Sequence, residues 1–330
     1  MRPPCGSRAP RWKSRRRALI KIALGEQVIG HGRQELVGVE IGDGLGAVPA
    51  GVSAQSRHGL ELTYATTHDH TSEPRIDDLL STRARIGWGA SAPPARPVAD
   101  AAFEFGGGHP DPASFPYEGM VEATADVMKA DGAAAFSYGE AQGYKGLREL
   151  VAHKYRLFEN LEVSPDNVIV SNGSGHALSL AFSAFVDLGD AILSEAPTFS
   201  GTLATIRRHG ARVLDVPLDA EGMDTKVARQ QLELLRREGK PCKLIYTIVN
   251  FQNPAGPTMS RRRREELIAL AHEYETVILE DDAYGELRFE GQAASSLYAL
   301  DKGGRTMRAG TLSKILGAGC GWAGSAHRRR

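Results

Sequence analysis

The stretch KLIYTIVNFQNPAG, at residues 243–256, decides the fold class of this chain. Its first half, Lys243–Val249, is a short apolar run, which predicts a strand buried inside a sheet. Its second half is polar, and Pro254 and Gly256 predict a turn that follows the strand directly. This turn would present the Asn253 amide at the strand end, although a plain Asn-Pro turn without function is the alternative.

On both sides of this stretch, strand-like runs alternate with helix-like segments. Strands are predicted at Asn167–Ser171, Ala191–Ser194, Arg212–Val216 and Thr276–Leu279, and helices at Ser174–Val186, Asp224–Arg237 and from a Ser260 cap to about Tyr274. Such alternation is typical of an α/β fold whose mostly parallel sheet is covered by helices on both faces. Ligands of these sheets bind at the carboxyl ends of the strands, so the turns found there are the candidate site.

Composition excludes several classes of protein. The 330 residues carry 40 basic and 40 acidic side chains, so net charge gives no argument for nucleic acid or a membrane surface as a partner. The sequence contains no run of about 18 apolar residues, and we expect no transmembrane helix. Cys5, Cys242 and Cys320 are too few and too scattered for a disulfide framework or a zinc site. We therefore expect a globular cytoplasmic protein without a metal.

The N-terminal part of the chain differs in composition from the rest. Eight basic residues and no acidic residue occur within residues 1–25. We expect residues 1–70 to be a disordered extension, or a segment translated from a start codon placed too early; a nucleic-acid-binding arm or a targeting peptide is the alternative. Residues 71–115 would form an N-terminal arm and linker, and residues 116–320 the main domain.

The turn SNGSGH, at residues 171–176, lies between a predicted strand and a predicted helix. Small residues let the backbone approach an anion, and the N-terminus of the helix supplies free N–H groups and the positive end of a dipole. Ser174 and Gly175 are therefore candidates for binding a phosphate. The alternative is a glycine turn that serves only steric needs, with His176 as an ordinary residue on the helix face.

Two further segments carry ionisable groups, and they follow the predicted strands Thr276–Leu279 and Arg305–Arg308. Three acids in EDDAY, at residues 280–284, are unfavourable unless a positive or protonated group lies opposite them. A metal and a protonated heterocycle are the candidates, but no His/Asp cluster at ligand spacing accompanies a metal. In TLSK, at residues 311–314, Lys314 is flanked by hydroxyls and suits a Schiff-base lysine, whose amine must be neutral to attack a carbonyl. A surface lysine is the alternative.

Taken in order, the Gly-Ser-Gly, Asn-Pro-x-Gly, Asp-x-x-Tyr and Ser-Lys segments closely resemble fold-type-I pyridoxal-phosphate-dependent aminotransferases. They are most similar to the class I/II group that includes 2-aminoadipate and kynurenine aminotransferases, and certain bacterial transcription regulators share the pattern. The resemblance runs from about Asp77 to Cys320 and includes FGGGHPDP at 105–112 and EAPTFSG at 195–201. It implies a three-layer αβα large domain at residues 116–320, pyridoxal 5′-phosphate as cofactor, and an amino acid and a 2-oxo acid as substrates.

By that resemblance, Lys314, Asp281 and Tyr284 are the catalytic residues. Lys314 would hold the cofactor as a Schiff base and move the proton at the substrate α-carbon, and Asp281 would pair with the protonated pyridine nitrogen. Asp281 is preferred to Asp282 because the acid of the family lies three residues before its tyrosine. The resemblance also implies that Tyr284 and Asn253 contact the phenolic oxygen and that Phe199 contacts the ring face. The phosphate would be bound by Ser174, Gly175, Thr311 and Ser313, and by Tyr138 from the other subunit of a homodimer with shared sites. The substrate would be bound by Gly107, Gly108 and Asn253.

The pattern departs from the family after Lys314. The family has a phosphate-binding arginine seven residues after its lysine, where this chain has Gly321. Deletion of one base would convert Cys-Arg-Leu-Gly-Trp into the observed Cys320–Gly324, so we expect residues 321–330 to be out of frame and the C-terminal small domain to be missing. Two alternatives to an aminotransferase follow: a non-catalytic protein (a truncated cofactor-binding domain or a regulator half), and a lyase or decarboxylase of the same fold.

Overall fold

The strands and helices of this chain are those of a computed structural model that describes residues 76–89, 108, 110–302, 304–317 and 322–326. The strands are β1 (Val168–Asn172), β2 (Ala191–Ala196), β3 (Arg212–Asp219), β4 (Gly222–Met223), β5 (Cys242–Ile248), β6 (Val277–Asp282), β7 (Thr306–Thr311) and β8 (Trp322–Ala326). The α-helices are α1 (Thr82–Gly89), α2 (Tyr117–Ala135), α3 (Lys145–Glu159), α4 (Gly173–Phe185), α5 (Ser200–Arg208), α6 (Thr225–Arg237), α7 (Arg261–Glu273) and α8 (Leu297–Leu300). The expectation for residues 1–70 lies outside the described residues.

The described strands form one sheet in the order β1-β8-β7-β6-β5-β2-β3-β4. From β7 to β3 all neighbours pair in parallel. β8 lies antiparallel between β1 and β7, so β1 runs in the same direction as the parallel strands. β4 pairs antiparallel with β3 at the far edge. The prediction of a mostly parallel sheet is confirmed.

Helices cover both faces of this sheet because its central strands are apolar on both sides. Along β5, Leu244 and Tyr246 pack into a core with α4 and α5, whereas Ile245 between them packs into a second core with α6 and α7. Such two-sided burial is typical of parallel strands between helical layers. The predicted three-layer αβα architecture is confirmed. In the described part of the chain, no helix is long and apolar enough to cross a membrane.

The predicted strands and helices around the sheet are present, with one correction that matters for the site. The strand predicted at Thr276–Leu279 continues through Asp282, so the three acids are its last residues and do not follow it. They can remain in the strand because backbone N–H groups and arginines compensate Glu280 and Asp282. Since neighbouring side chains of a strand point to opposite faces, Asp281 is separated from both of its acidic neighbours.

The loop before α3 is fixed by a buried arginine. Arg148 is buried in α3, and its guanidinium donates to the carbonyl oxygens of Gly143 and Pro165 at 3.1 Å each. Gly143 has a φ of +91°, and a Cβ at this position would lie 2.5 Å from the Cβ of Val170 in β1. The position therefore requires glycine both for its backbone conformation and for its close approach to the sheet.

Candidate active site

The four segments singled out by the sequence lie at one edge of the sheet. β5, β6 and β7 are parallel neighbours, and β1 runs in the same direction. Their carboxyl ends therefore share an edge, as do the turns that follow them. A ligand at this edge would meet the N-termini of the helices that follow β1 and β2, which are α4 and α5.

Lys314, just after β7, extends over this edge toward the segment that precedes α2. Its Nζ atom donates a hydrogen bond to the carbonyl oxygen of Gly108 at 2.9 Å and lies 5.9 Å from the centroid of the Tyr284 ring. The side chain is half-buried. Gly108 has a φ of +52°, and a Cβ added there would lie 3.8 Å from the lysine nitrogen. Gly107, the other residue expected here, lies outside the described residues.

The Asn253 amide and the Tyr284 hydroxyl form a pair at the same edge. The Nδ2 atom of Asn253 donates to the hydroxyl oxygen of Tyr284 at 3.0 Å, which joins the turn after β5 to the turn after β6. The hydroxyl hydrogen of Tyr284 is thus left to point elsewhere. Two donors therefore stand side by side, and one of them is on the ring that lies 5.9 Å from the Lys314 amine.

The turn that carries Asn253 is held from behind by Gln252, which is buried. Its Nε2 donates to a Glu195 carboxylate oxygen at 3.1 Å and to the Pro197 carbonyl oxygen at 2.8 Å, while its Oε1 accepts from the Ala255 N–H at 2.9 Å. Burial raises the pKa of Glu195 to about 7, although hydrogen bonds from Thr247, the Ile248 N–H and Gln252 oppose the shift. One amide therefore ties the turn after β2 to the turn after β5.

Asp281 is the buried acid on the α4–α5 side of the sheet. Its Oδ2 accepts a hydrogen bond from the Tyr246 hydroxyl at 2.8 Å. Its Oδ1 is buried and has no hydrogen-bond partner. Burial raises the pKa of Asp281 to about 6, against the lowering effect of the hydrogen bond from Tyr246. A buried carboxylate oxygen without a donor is unfavourable, so this atom is suited to a further group that carries a proton or a positive charge.

The other two acids of β6 are compensated on the opposite side of the sheet. Asp282 accepts from the Arg308 guanidinium and from the Asn250 amide, the latter at 2.9 Å. Burial opposes its ionisation, but Arg308 and these hydrogen bonds hold its pKa below the ordinary value. Glu280 accepts from the N–H groups of Leu297 and Tyr298 at 3.1 and 3.0 Å. The three acids do not converge on one point, and the described residues contain no cluster suited to a metal ion.

The predicted phosphate-binding residues lie on α4 and at the end of β7, where Thr311 is the last residue of the strand and Ser313 follows it. Ser174 and Gly175 are in the first turn of α4, whose N-terminus has no side-chain cap. By contrast, Asp224 and Ser260 cap α6 and α7 with their side-chain oxygens. Because α4 begins directly after β1 and packs against β7, its open N–H groups lie at the same edge of the sheet as the hydroxyls at the end of β7. Thr311 Oγ1 and Ser313 Oγ are 2.9 Å apart there.

Two predicted residues stand apart from this cluster. Phe199 is half exposed and directly precedes α5. Tyr138 is fully exposed in the segment between α2 and α3, and none of its described contacts joins it to Lys314 or Asp281. Its expected role in a neighbouring subunit stays a prediction.

Three residues that support the site were not predicted from the sequence. Tyr246, Gln252 and Glu195 each fall in segments singled out by the sequence, but their roles depend on register. Tyr246 lies two residues before Ile248, which is the partner of Asp281 across the β5–β6 pair. Side chains two residues apart share a face, so the known register would have placed Tyr246 beside Asp281.

Comparison with known proteins gives the class of this chain. The model of the "Aminotransferase class I and II" family matches residues 105–328, and the chain belongs to that family. The match begins later than the expected start near Asp77 and runs beyond Cys320.

Individual relatives are of three kinds. The chain is 39% identical over 218 residues to aromatic-amino-acid aminotransferase 1 of Thermococcus litoralis, covering 66% of this chain and 52% of that protein. A solved structure of Pyrococcus horikoshii kynurenine aminotransferase is 36% identical, with a TM-score of 0.64, covering 67% of this chain and 55% of that one. An uncharacterized HTH-type transcriptional regulator of Escherichia coli, YdcR, is 32% identical over 230 residues, covering 68% of this chain and 48% of that protein. The chain thus spans about half the length of the curated relatives it matches.

Proposed function

We propose that this chain is the cofactor-binding part of a pyridoxal-phosphate-dependent aminotransferase, which moves an amino group between an amino acid and a 2-oxo acid. The observation that carries the proposal is the buried, unpartnered Oδ1 of Asp281, at the same strand edge as the Lys314 amine. A buried carboxylate oxygen without a donor is stabilised by a partner that carries a proton. A neutral lysine amine reacts with a carbonyl group. One protonated heterocycle that bears an aldehyde supplies both.

The residues present fit pyridoxal phosphate. When bound, the cofactor supplies an aldehyde that reacts with amines and a ring that accepts electrons from the substrate α-carbon. Asp281 would hold the protonated ring nitrogen through Oδ1, and its charge would favour that protonation. Asp281 suits this role better than Asp282, because the carboxylate of Asp282 is already paired with Arg308.

The other contacts with the ring follow from the same geometry. Asn253 Nδ2 and the Tyr284 hydroxyl, 3.0 Å apart, would donate to the phenolic oxygen of the ring. Phe199 would cover one face of the ring by stacking, which aligns it without a hydrogen bond. The two turns that carry Phe199 and Asn253 are tied together by Gln252, so the face and the edge of the ring would be held as one unit.

The phosphate would bind between α4 and the turn after β7. Ser174 and Gly175 offer uncapped N–H groups at the positive end of α4, and Thr311 and Ser313 offer hydroxyls. The arginine expected from the family in this region is replaced by Gly321. We therefore expect weaker phosphate binding than in a chain with that arginine, because a bidentate ionic contact is lost.

Lys314 would carry the cofactor and move the proton of the reaction. Its Nζ must be neutral to attack the aldehyde, and the Gly108 carbonyl oxygen, 2.9 Å away, can orient the amine in either protonation state. Lys314 Nζ would also take the proton from the substrate α-carbon. Gly107 and Gly108 would line the substrate pocket, together with Asn253.

We also propose a homodimer with shared sites. Helix α2 buries no residue, and it exposes Val121, Val127 and Met128 along its length. An apolar helix face of this kind is suited to burial against another subunit. Tyr138, fully exposed beyond α2, would then reach the phosphate bound in that subunit.

The second candidate is a non-catalytic cofactor-binding domain, because one of the relatives is a transcriptional regulator by name. The match to YdcR supports the regulator form of it. The proposed reading-frame change after Cys320 is tested by resequencing the gene, and it fails if no other frame continues into family sequence. The cytoplasmic location stays a prediction.

Absorbance spectroscopy tests the proposal. Wild-type chain and Lys314→Ala are purified without cofactor and titrated with pyridoxal phosphate. We expect a lysine-dependent visible band in the wild type alone, which glutamate converts while it releases an oxo acid. A band without that conversion supports the non-catalytic domain. Folded wild type with no lysine-dependent band contradicts both.

A further inference from the structure

We propose that Tyr246 and Thr202 form a hydroxyl relay that positions the Asp281 carboxylate toward a protonated ring nitrogen. The relay rests on the proposed function, because the ring nitrogen belongs to the proposed cofactor. It goes beyond that function by assigning positioning roles to two residues outside the expected contact set. Neither residue would touch the cofactor itself.

The direction of the relay follows from the number of hydrogens. The Tyr246 hydroxyl oxygen is 2.8 Å from Asp281 Oδ2 and 3.1 Å from Thr202 Oγ1. A phenol has one hydrogen to donate, and an ionised carboxylate can only accept. Tyr246 therefore donates to Asp281, and Thr202 donates to the oxygen of Tyr246. Each hydroxyl in the chain strengthens the donor that follows it.

The relay leaves one carboxylate oxygen open. Tyr246, Thr202 and Asp281 are 0, 4 and 5% exposed, so water has little access to any of them. The Tyr246 ring packs edge-on against Phe182 at 6.4 Å between centroids, which limits its movement. With Oδ2 occupied by Tyr246, only Oδ1 remains for a new donor, and it is buried without a partner. The carboxylate thus has one defined direction in which to accept a further hydrogen bond.

The relay also favours the ionised form of Asp281. Burial is the main cause that disfavours the ionisation of Asp281, and the charge of Asp282 beside it on β6 acts in the same direction. The hydrogen bond from Tyr246 is the opposing contribution, since it lowers the pKa of Asp281. Without the Tyr246 hydroxyl, burial and the charge of Asp282 would leave Asp281 more often protonated, and a protonated acid does not attract a positive ring nitrogen.

The experiment compares two ligands that differ at one atom. Wild type, Tyr246→Phe and Tyr155→Phe are titrated without substrate, using pyridoxal phosphate and its analogue with carbon in place of the ring nitrogen. Quenching of intrinsic fluorescence reports affinity. Tyr155 is the matched control, because it is another buried tyrosine but lies in α3 against Tyr298. We expect Tyr246→Phe to weaken the binding of pyridoxal phosphate by about tenfold or more.

The analogue separates positioning from a general structural effect. Its affinity is expected to change by less than about twofold in Tyr246→Phe, because it lacks the nitrogen that Asp281 would hold. Thr202→Val should show a smaller loss that is likewise specific for pyridoxal phosphate. In an Asp281→Asn background, Tyr246→Phe should have almost no further effect.

Each other outcome contradicts a named step. Equal losses for both ligands, or a loss of the same size in Tyr155→Phe, would overturn the relay and leave the proposed function standing. Unchanged affinity for pyridoxal phosphate in Tyr246→Phe would overturn it as well. Failure of the folded wild type to bind pyridoxal phosphate would instead overturn the proposed function, and the relay with it.

Discussion

Replacing Asp281 by asparagine is predicted to stabilise the cofactor-free chain. Burial raises the pKa of this carboxyl from 3.8 to about 6, so the folded state holds its proton more tightly than the unfolded state does. Such a group stabilises the fold in acid, and this contribution is lost as pH rises from about 4 to about 6. This difference between the folded and unfolded pKa of Asp281 corresponds to a destabilisation of the fold by about 3 kcal/mol above pH 6. At pH 5 the destabilisation is about half as large.

Urea unfolding of the cofactor-free wild type and of Asp281→Asn at about pH 5 and about pH 8 measures this difference. Asparagine keeps the size of the side chain and can still accept from Tyr246, but it carries no charge. We expect the variant to be more stable by about 3 kcal/mol at the higher pH and by about half of that at the lower.

Asp282, the adjacent acid, is a matched control for which we expect the opposite change in stability. The pKa of Asp282 is held low by Arg308, so its ionised form stabilises the fold. Asp282→Asn leaves Arg308 without one of its two carboxylate partners, and we expect a loss of about 3 kcal/mol or more at about pH 8. If Asp281→Asn destabilises the chain as Asp282→Asn does, or has the same effect at both pH values, the charge of Asp281 does not destabilise the fold as expected.

Three further predictions concern the frame around the site. Gln252→Leu should lower the free energy of unfolding by about 1–3 kcal/mol, because Glu195 loses a donor. It should also weaken cofactor affinity in a fluorescence titration, and unchanged affinity would show that the hydrogen bonds of Gln252 do not act on the site. Arg308→Met should cost about 3–5 kcal/mol in urea unfolding, since Asp282 loses its cation, and combining it with Asp282→Asn should recover part of the loss. Gly143→Ala should lower stability by about 2 kcal/mol through its clash with Val170, whereas an equal loss in Gly139→Ala, which meets no atom within 4 Å, would contradict this.

The alternating elements of the sheet could be predicted because their local signals agree. In β5, an apolar run ends at a polar turn, and in α6 the capping residue Asp224 marks the helix start. Helix α2 was not predicted, since none of its residues is buried and it has no strongly apolar face directed at the core. Strand β8 was not predicted either, because its place between β1 and β7 is set by tertiary pairing.

Four short segments of the sequence predicted the chemistry of the site, but not the buried residues that hold the site in place. Lys314, Asn253 and Tyr284 each follow a strand, and the parallel sheet brings those ends together. The partners of Asp281 and Glu195 depend instead on which residues stand opposite across strands that are far apart in the chain. The extension of β6 through Asp282 was missed for the same reason, because the arginine that compensates Asp282 lies on β7.

Borohydride reduction of the chain after incubation with pyridoxal phosphate directly tests whether Lys314 carries the cofactor. Reduction makes the attachment permanent, and peptide mass spectrometry then locates it. We expect one modified peptide, which contains Lys314, and its disappearance in Lys314→Ala. Modification of other lysines instead, with Lys314 unmodified in folded protein, would contradict this expectation.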